Sequence, residues 1–163
     1  MRTNSFTGIG SSWQSFSFGQ KPDLLLPVSG EQQQIGQMLS DINLLRTQQG
    51  LSSLTLDARL CRAARQHAED MAQYNYFRHR GRTRFLFASG PGTRATASGY
   101  QWTAIAENIC AGYRNASAAF QSWALSPEHC RNLVDPRYQD AGIGVARSST
   151  KTYWVLLLAL PWN

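Results

Sequence analysis

From Glu31 onward the apolar residues fall into a helical period. Ile35, Met38, Leu39, Ile42 and Leu45 share one face, with glutamines and Asp41 opposite and Gly50 as the stop. A short link, Leu51 to Leu56, leads to a second helix with Thr55 or Asp57 as N-cap. Leu60, Ala64, His67 and Met71 lie on its inner face beside Ala63 and Ala68, whose small side chains permit close packing. The period is lost near Tyr74, and residues 74–84 read as a turn that Phe77 is expected to anchor in the core. Residues 88–99, punctuated by Gly90, Pro91, Gly92 and Gly99, read as a loop with one short helical turn. Ile105 to Ala111 reads as a buried strand, and a helix capped by Asn115 or Ser117 then runs to Leu125 with Phe120 and Trp123 inward. Ser126-Pro127 stops it. After a turn at Asp135-Pro136, Ala141 to Ala146 and Tyr153 to Leu160 predict an antiparallel hairpin across the polar stretch from Arg147 to Lys151. The later strand, apolar on both faces, belongs at the centre of a sheet. Helices followed by strand, helix and hairpin predict an α+β domain over residues 31–163. Residues 1–30, rich in Ser, Gly and Gln around Trp13, Phe16 and Phe18, read as a loose N-terminal extension.

Composition adds charge and compartment. The net charge is +6, and all 16 basic residues are arginine except Lys21 and Lys151. Arginine forks onto carboxylate and phosphate, so an anionic glycan, lipid or protein surface is the expected partner. Nucleic acid is not expected, and a monomer is. Charged residues make up only 16% of the chain, so Ser, Thr, Gln, Asn and Gly carry much of its solvation, a habit of exported proteins. The longest apolar run, Tyr153 to Leu160, is too short to span a bilayer. Arg2 is followed by no apolar segment of the signal-peptide kind, so export would need a leader outside this chain or another route. Cys61, Cys110 and Cys130 allow one disulfide at most, most simply Cys110 to Cys130; three buried thiols are the alternative.

The chemistry concentrates at three positions. His79 follows the turn, Glu107 interrupts the apolar strand, and His129 follows the helix stop, at separations of 28 and 22 residues. Two histidines and a carboxylate are the protein ligands of a catalytic zinc site with an open fourth position. The same trio could form a hydrogen-bonded network without metal, and a salt bridge to an arginine would equally account for Glu107. His67, on an apolar helix face, reads as a hydrogen-bonded core residue. Arg78, Arg80, Arg82 and Arg84 surround His79 and form a candidate anion-binding edge.

Several stretches recur in one family order: YFRH (residues 76–79), AENI (106–109), SPEH (126–129) and AGIGVA (141–146), with the terminal strand starting at Tyr153. In this the chain resembles the CAP superfamily of cysteine-rich secretory proteins, antigen 5 and pathogenesis-related proteins, specifically its bacterial SCP-like branch. The resemblance implies an α-β-α sandwich with a small, largely antiparallel central sheet and a shallow cleft lined by His79, Glu107 and His129. A second family glutamate is replaced by Ser126, and Glu128 stands where glycine is usual. The implied function is a secreted or envelope-associated binding module whose cleft holds a divalent cation, zinc first. The alternative is a metal-assisted peptidase or cell-wall hydrolase, with His79, Glu107, Glu128 and His129 as catalytic candidates and Glu107 or Glu128 as general base.

Overall fold

The computed structural model describes residues 30–82 and 89–162. Helix α1 (Gly30–Gln48) buries Met38 and Ile42 completely, with Ile35, Leu39 and Leu45 partly covered beside them. The same stripe continues one turn further to Arg46, which is 1% exposed. Its guanidinium donates to the carbonyls of Ser52 and Leu133 at 2.9 Å, Asp135 at 3.0 Å and Tyr138 at 3.1 Å. Those four acceptors replace the water that burial removes. Desolvation pulls the Arg46 pKa down, and the charge of Asp135 pulls the other way.

The chain leaves α1 through Gly50, which takes the left-handed conformation (φ +73°) that glycine adopts without strain. A two-residue strand, β1 (Thr55–Leu56), precedes α2 (Ala58–Tyr74). Asp57 is the N-cap of α2, its Oδ1 accepting from the amides of Arg59 and Leu60 at 2.8 and 3.2 Å. There follow α3 (Pro91–Ala97), β2 (Trp102–Ala111), α4 (Ala116–Ala124), α5 (Pro127–Leu133), β3 (Asp140–Arg147) and β4 (Thr152–Pro161). Asn115 caps α4 by accepting from the Ala118 amide at 2.9 Å.

The sheet order is β1-β3-β4-β2. Among the described residues only the short β1–β3 pairing is parallel; β4 pairs antiparallel with both β3 and β2. As its two-sided apolar sequence requires, β4 is the central strand and divides its side chains by alternation. Trp154, Leu156 and Leu158 pack against α1, α4 and α5, meeting Met38, Ile42, Trp123 and Leu133. Tyr153, Val155, Leu157 and Ala159 face the opposite layer, α2 and α3, meeting Leu60, Ala64, Met71 and Ala95. The result is an α-β-α sandwich of the α+β class. Helix α2 lies almost on the backbone of β3, because Gly142 and Gly144 present no side chain there. A Cβ on Gly144 would sit 2.2 Å from the Arg65 backbone nitrogen, and one on Gly142 2.2 Å from the Leu60 carbonyl carbon.

The structure departs from the sequence expectations in four places. Residues 91–97 form a helix of two turns, with Pro91 pre-setting its first turn. The stop at Ser126-Pro127 begins a further helix, α5, which carries Glu128, His129 and Cys130. Phe77 is 51% exposed and does not anchor its turn; Tyr76 packs on the core instead. The Cys110–Cys130 bridge is not formed, and all three cysteines are free. Cys110 is buried between β2 and α4, hydrogen-bonded to Ser122, and burial pushes its thiol up to about 12. Among the described residues no helix is long and apolar enough to cross a membrane.

Candidate functional site

Strand β2 lies at the edge of the sheet and alternates like β4, so successive residues point to opposite layers. Glu107 falls on the α2/α3 side and Asn108 on the α4/α5 side, and each holds one histidine in place.

On the first side, α2 ends at Asn75, a left-handed residue (φ 49°). Tyr76 then donates its hydroxyl to Asp70, and burial followed by that carboxylate raises the Tyr76 pKa. His67, 1% exposed, donates from Nε2 to the Arg78 carbonyl at 3.1 Å. It is therefore a core residue that fastens the turn, and burial, with the charge of Arg94, keeps its pKa low. Beyond the turn, His79 Nδ1 donates to Glu107 Oε1 at 2.9 Å. That bond fixes the tautomer and leaves Nε2 as the free nitrogen of a ring whose side chain is 53% exposed. Glu107, with 1% of its side chain exposed, is balanced through Oε2 by Arg94 of α3. Arg94 also donates from Nη1 to the carbonyls of His79 at 3.1 Å and Ser89 at 2.5 Å. One guanidinium thus neutralises the buried carboxylate and grips the backbone of the histidine that this carboxylate orients. Among the described residues its Nε, like His67 Nδ1, is buried without a partner.

On the second side, Asn108 is fully buried and donates to the His129 carbonyl at 3.0 Å, while Asn132 donates to Asn108 Oδ1 at 2.8 Å. This clamp seats α5 against the strand. His129 Nδ1 lies 2.8 Å from Ser126 Oγ, a partner that can accept from Nδ1–H and leave Nε2 free. The His129 pKa is lowered, first by burial and then by the charge of His79, with Glu128 opposing. His79 and His129 are thus held at the same edge strand, one from each layer. Beside His129 opens a cleft of about 420 Å³ lined by Ser126, Phe77, Tyr113, Trp123 and Lys151 among others.

His79, Glu107 and His129 thus lie about one short stretch of β2, Glu107 bonded to the His79 ring and its neighbour Asn108 to the His129 carbonyl. Both oxygens of Glu107 are engaged, one by an imidazole and one by a guanidinium. Among the described residues no group of three or more His, Cys, Asp or Glu side chains is arranged to hold a metal ion. Two imidazole Nε2 atoms remain available, and Glu128 stands exposed in the first turn of α5. Of the arginine edge, Arg78 stacks over Tyr76 at 5.1 Å and Arg82 over Tyr74 at 4.2 Å, Arg80 is exposed, and Arg84 lies outside the described residues. Among the described residues Arg78, Arg80 and Arg82 form no ion pair.

Arg94 and Asn108 went unread in the sequence. Asn108 adjoins Glu107, and strand alternation alone would have sent it to the opposite layer. Arg94 stood in a stretch read as loop, although Pro91 before it and Gly99 after it are the start and stop marks of a helix.

A profile described as the cysteine-rich secretory protein family (CAP) matches residues 39–158. An uncharacterized Bacillus subtilis protein, YkwD, is 29% identical over 108 residues, covering 66% of this chain and 40% of its own length. An extracellular protein containing an SCP domain from Bacillus anthracis superposes with a TM-score of 0.68 at 26% identity, over 83% of this chain and 44% of that one. An outer surface protein of Borrelia burgdorferi shares the fold, with a TM-score of 0.71 at 19% identity, over 80% of this chain and 94% of that one. This chain thus spans less than half the length of the two Bacillus proteins.

Proposed function

The chain belongs to the cysteine-rich secretory protein (CAP) family, and on that premise we propose that it is an extracellular or envelope-associated binding module whose cleft holds a divalent cation on His79 and His129. The observation that carries this reading is the paired presentation of the imidazoles. Glu107 orients His79 through Nδ1, and Ser126 is placed to do the same for His129, in the manner of the outer partners that orient metal-bound histidines. Neutral imidazoles suit zinc, and the lowered His129 pKa helps to keep that ring neutral. A bound cation would supply a Lewis-acidic centre for an oxygen of the ligand. With only two protein ligands it would be an exchangeable ion rather than a locked structural one. Arg78, Arg80 and Arg82, with Arg84 following them in sequence, would supply a positive edge for an anionic glycan, lipid or protein surface.

Titrating Zn²⁺ into tag-free protein by calorimetry tests the reading. One ion should bind per chain, and His79→Ala and His129→Ala should each remove binding. Ser126→Ala should weaken it by about 10- to 100-fold, the usual effect of losing an orienting partner. Unchanged binding in both histidine variants would refute the site. The basic edge predicts retention on anionic surfaces that falls with salt; retention surviving neutralisation of its four arginines would refute that part.

Metal-assisted hydrolysis has less support. Glu107 is held by Arg94 and His79 and is not free to take a proton from water, which leaves the exposed Glu128 as general base. Zinc-loaded protein should show no turnover of peptide, ester or muropeptide substrates.

A further inference from the structure

At the far end of the sheet the β3–β4 hairpin turns through residues 147–152 beside Gly112 and Arg114. The Gly112 amide donates to the Thr152 carbonyl at 2.8 Å, and the Ser148 amide to the Lys151 carbonyl at 2.9 Å, so both walls are backbone-pinned. Between them lies a cavity of about 290 Å³ bordered by Arg114, Arg147, Lys151 and the hydroxyl residues Ser149 and Thr150. No carboxylate is among the described residues that line it. Arg147 also borders a groove containing Glu31 and Glu69, but both face Arg65, at 3.5 and 2.8 Å. Among the described residues none of the three cations forms an ion pair. Three like charges around one concavity repel one another, and an anion in their midst relieves that repulsion.

Lys151 borders this cavity and the histidine cleft alike. Trp123, whose buried indole N–H has no acceptor among the described residues, borders the cleft together with Phe77 and Tyr113. We propose that the hairpin-tip cavity is an oxyanion site, taking the phosphate or sulfate group of a ligand whose ring-bearing body passes Lys151 into the cleft. The cavity has roughly ten times the share of volume of one liquid water (~30 Å³), enough for such a group with its solvent. Arginine supplies forked donors, lysine a mobile one, and the hydroxyls neutral ones. The site is distinct from the Arg78–Arg82 edge and needs no metal.

The test uses full-length protein in EDTA, so that failure of the cation reading does not affect it. Inorganic phosphate and phenyl phosphate are titrated at fixed ionic strength and followed by amide NMR. Phosphate should shift residues 112 and 148–152 saturably. Arg114→Gln, Arg147→Gln and Lys151→Gln should each weaken it about threefold to tenfold, and native peak dispersion in these surface variants confirms their fold. Phenyl phosphate should bind more tightly than phosphate, extend the shifts to Tyr113 and Trp123, and lose its advantage in Phe77→Ala. Shifts spread over every basic surface residue, or variants that bind like the parent, would overturn the oxyanion site. Equal affinity for the two probes would overturn its continuity with the cleft.

Discussion

Replacing Arg94 by methionine should be among the most damaging single changes outside the apolar core. Arg94 is 9% exposed, and only 1% of the Glu107 side chain reaches solvent. The substitution keeps much of the aliphatic volume but leaves a buried carboxylate with one imidazole as partner. Removing one member of a buried ion pair costs about 3–5 kcal/mol, because the remaining charge keeps its desolvation penalty without its compensation. The His79 and Ser89 carbonyls also lose a donor, but His79 is exposed enough for water to replace it, so the pair dominates. Against a usual total of about 5–15 kcal/mol this is a large fraction. Urea unfolding followed by the fluorescence of the buried Trp123 and Trp154 is the assay. With a slope near 2 kcal/mol/M the midpoint should fall by roughly 2 M. Adding Glu107→Gln removes the stranded charge, so the double variant should be more stable than Arg94→Met alone. A single-variant loss below about 1 kcal/mol, or a double variant as unstable as the sum of both changes, would refute the argument that Arg94 acts by balancing Glu107.

Gly144→Ala should lower the thermal midpoint by roughly 2–12 °C, since a methyl group driven against the α2 backbone costs about 1–3 kcal/mol and each kcal/mol is worth about 2–4 °C at this size; scanning calorimetry reads it, and an unchanged midpoint would mean that the layers part freely. Arg46→Met should cost about 3 kcal/mol by stripping four carbonyls of their donor, with Arg46→Lys intermediate, in the same urea assay. His67 makes stability pH-dependent in a stated direction: its folded pKa lies below the unfolded value of about 6.5, so the unfolded chain takes up the proton first and stability falls as pH drops through and below 6.5. His67→Gln should lack that component between pH 7.5 and 5, and parallel pH profiles would clear His67 of it. Without reductant, three thiols should react with a disulfide reagent in denaturant, and Cys110 should be the slowest of them in the native protein.

Much of the fold could be read from apolar periodicity because its layers obey it strictly. The α2 face of Leu60, Ala64, His67 and Met71 and the two-sided β4 strand are signals that one sheet between helical layers turns directly into burial. His79, Glu107 and His129 stand out in the sequence because each breaks an apolar pattern or follows a structural stop. What escaped is polar and buried. Arg46 occupies a core position on α1, which hydropathy assigns to solvent, and is tolerated only because four carbonyls from distant segments converge on it. Arg94 meets Glu107 through a helix that a glycine- and proline-rich stretch disguises. Glu107 is paired with an arginine whose position no local spacing reveals.

Glu107 holds the His79 ring and Asn108 the His129 backbone, from opposite sides of one edge strand. The placement of the two histidines is therefore set by the pleat of one edge strand rather than by the lengths of the connections that deliver them. Those connections can drift in length and composition while that placement holds. Inserting or deleting one residue just before Glu107 would instead exchange the two handles between layers, turning the carboxylate toward Asn132 and the amide toward Arg94. Both grips would fail together, so the pair of rings tolerates change in its loops but none in the count of that strand.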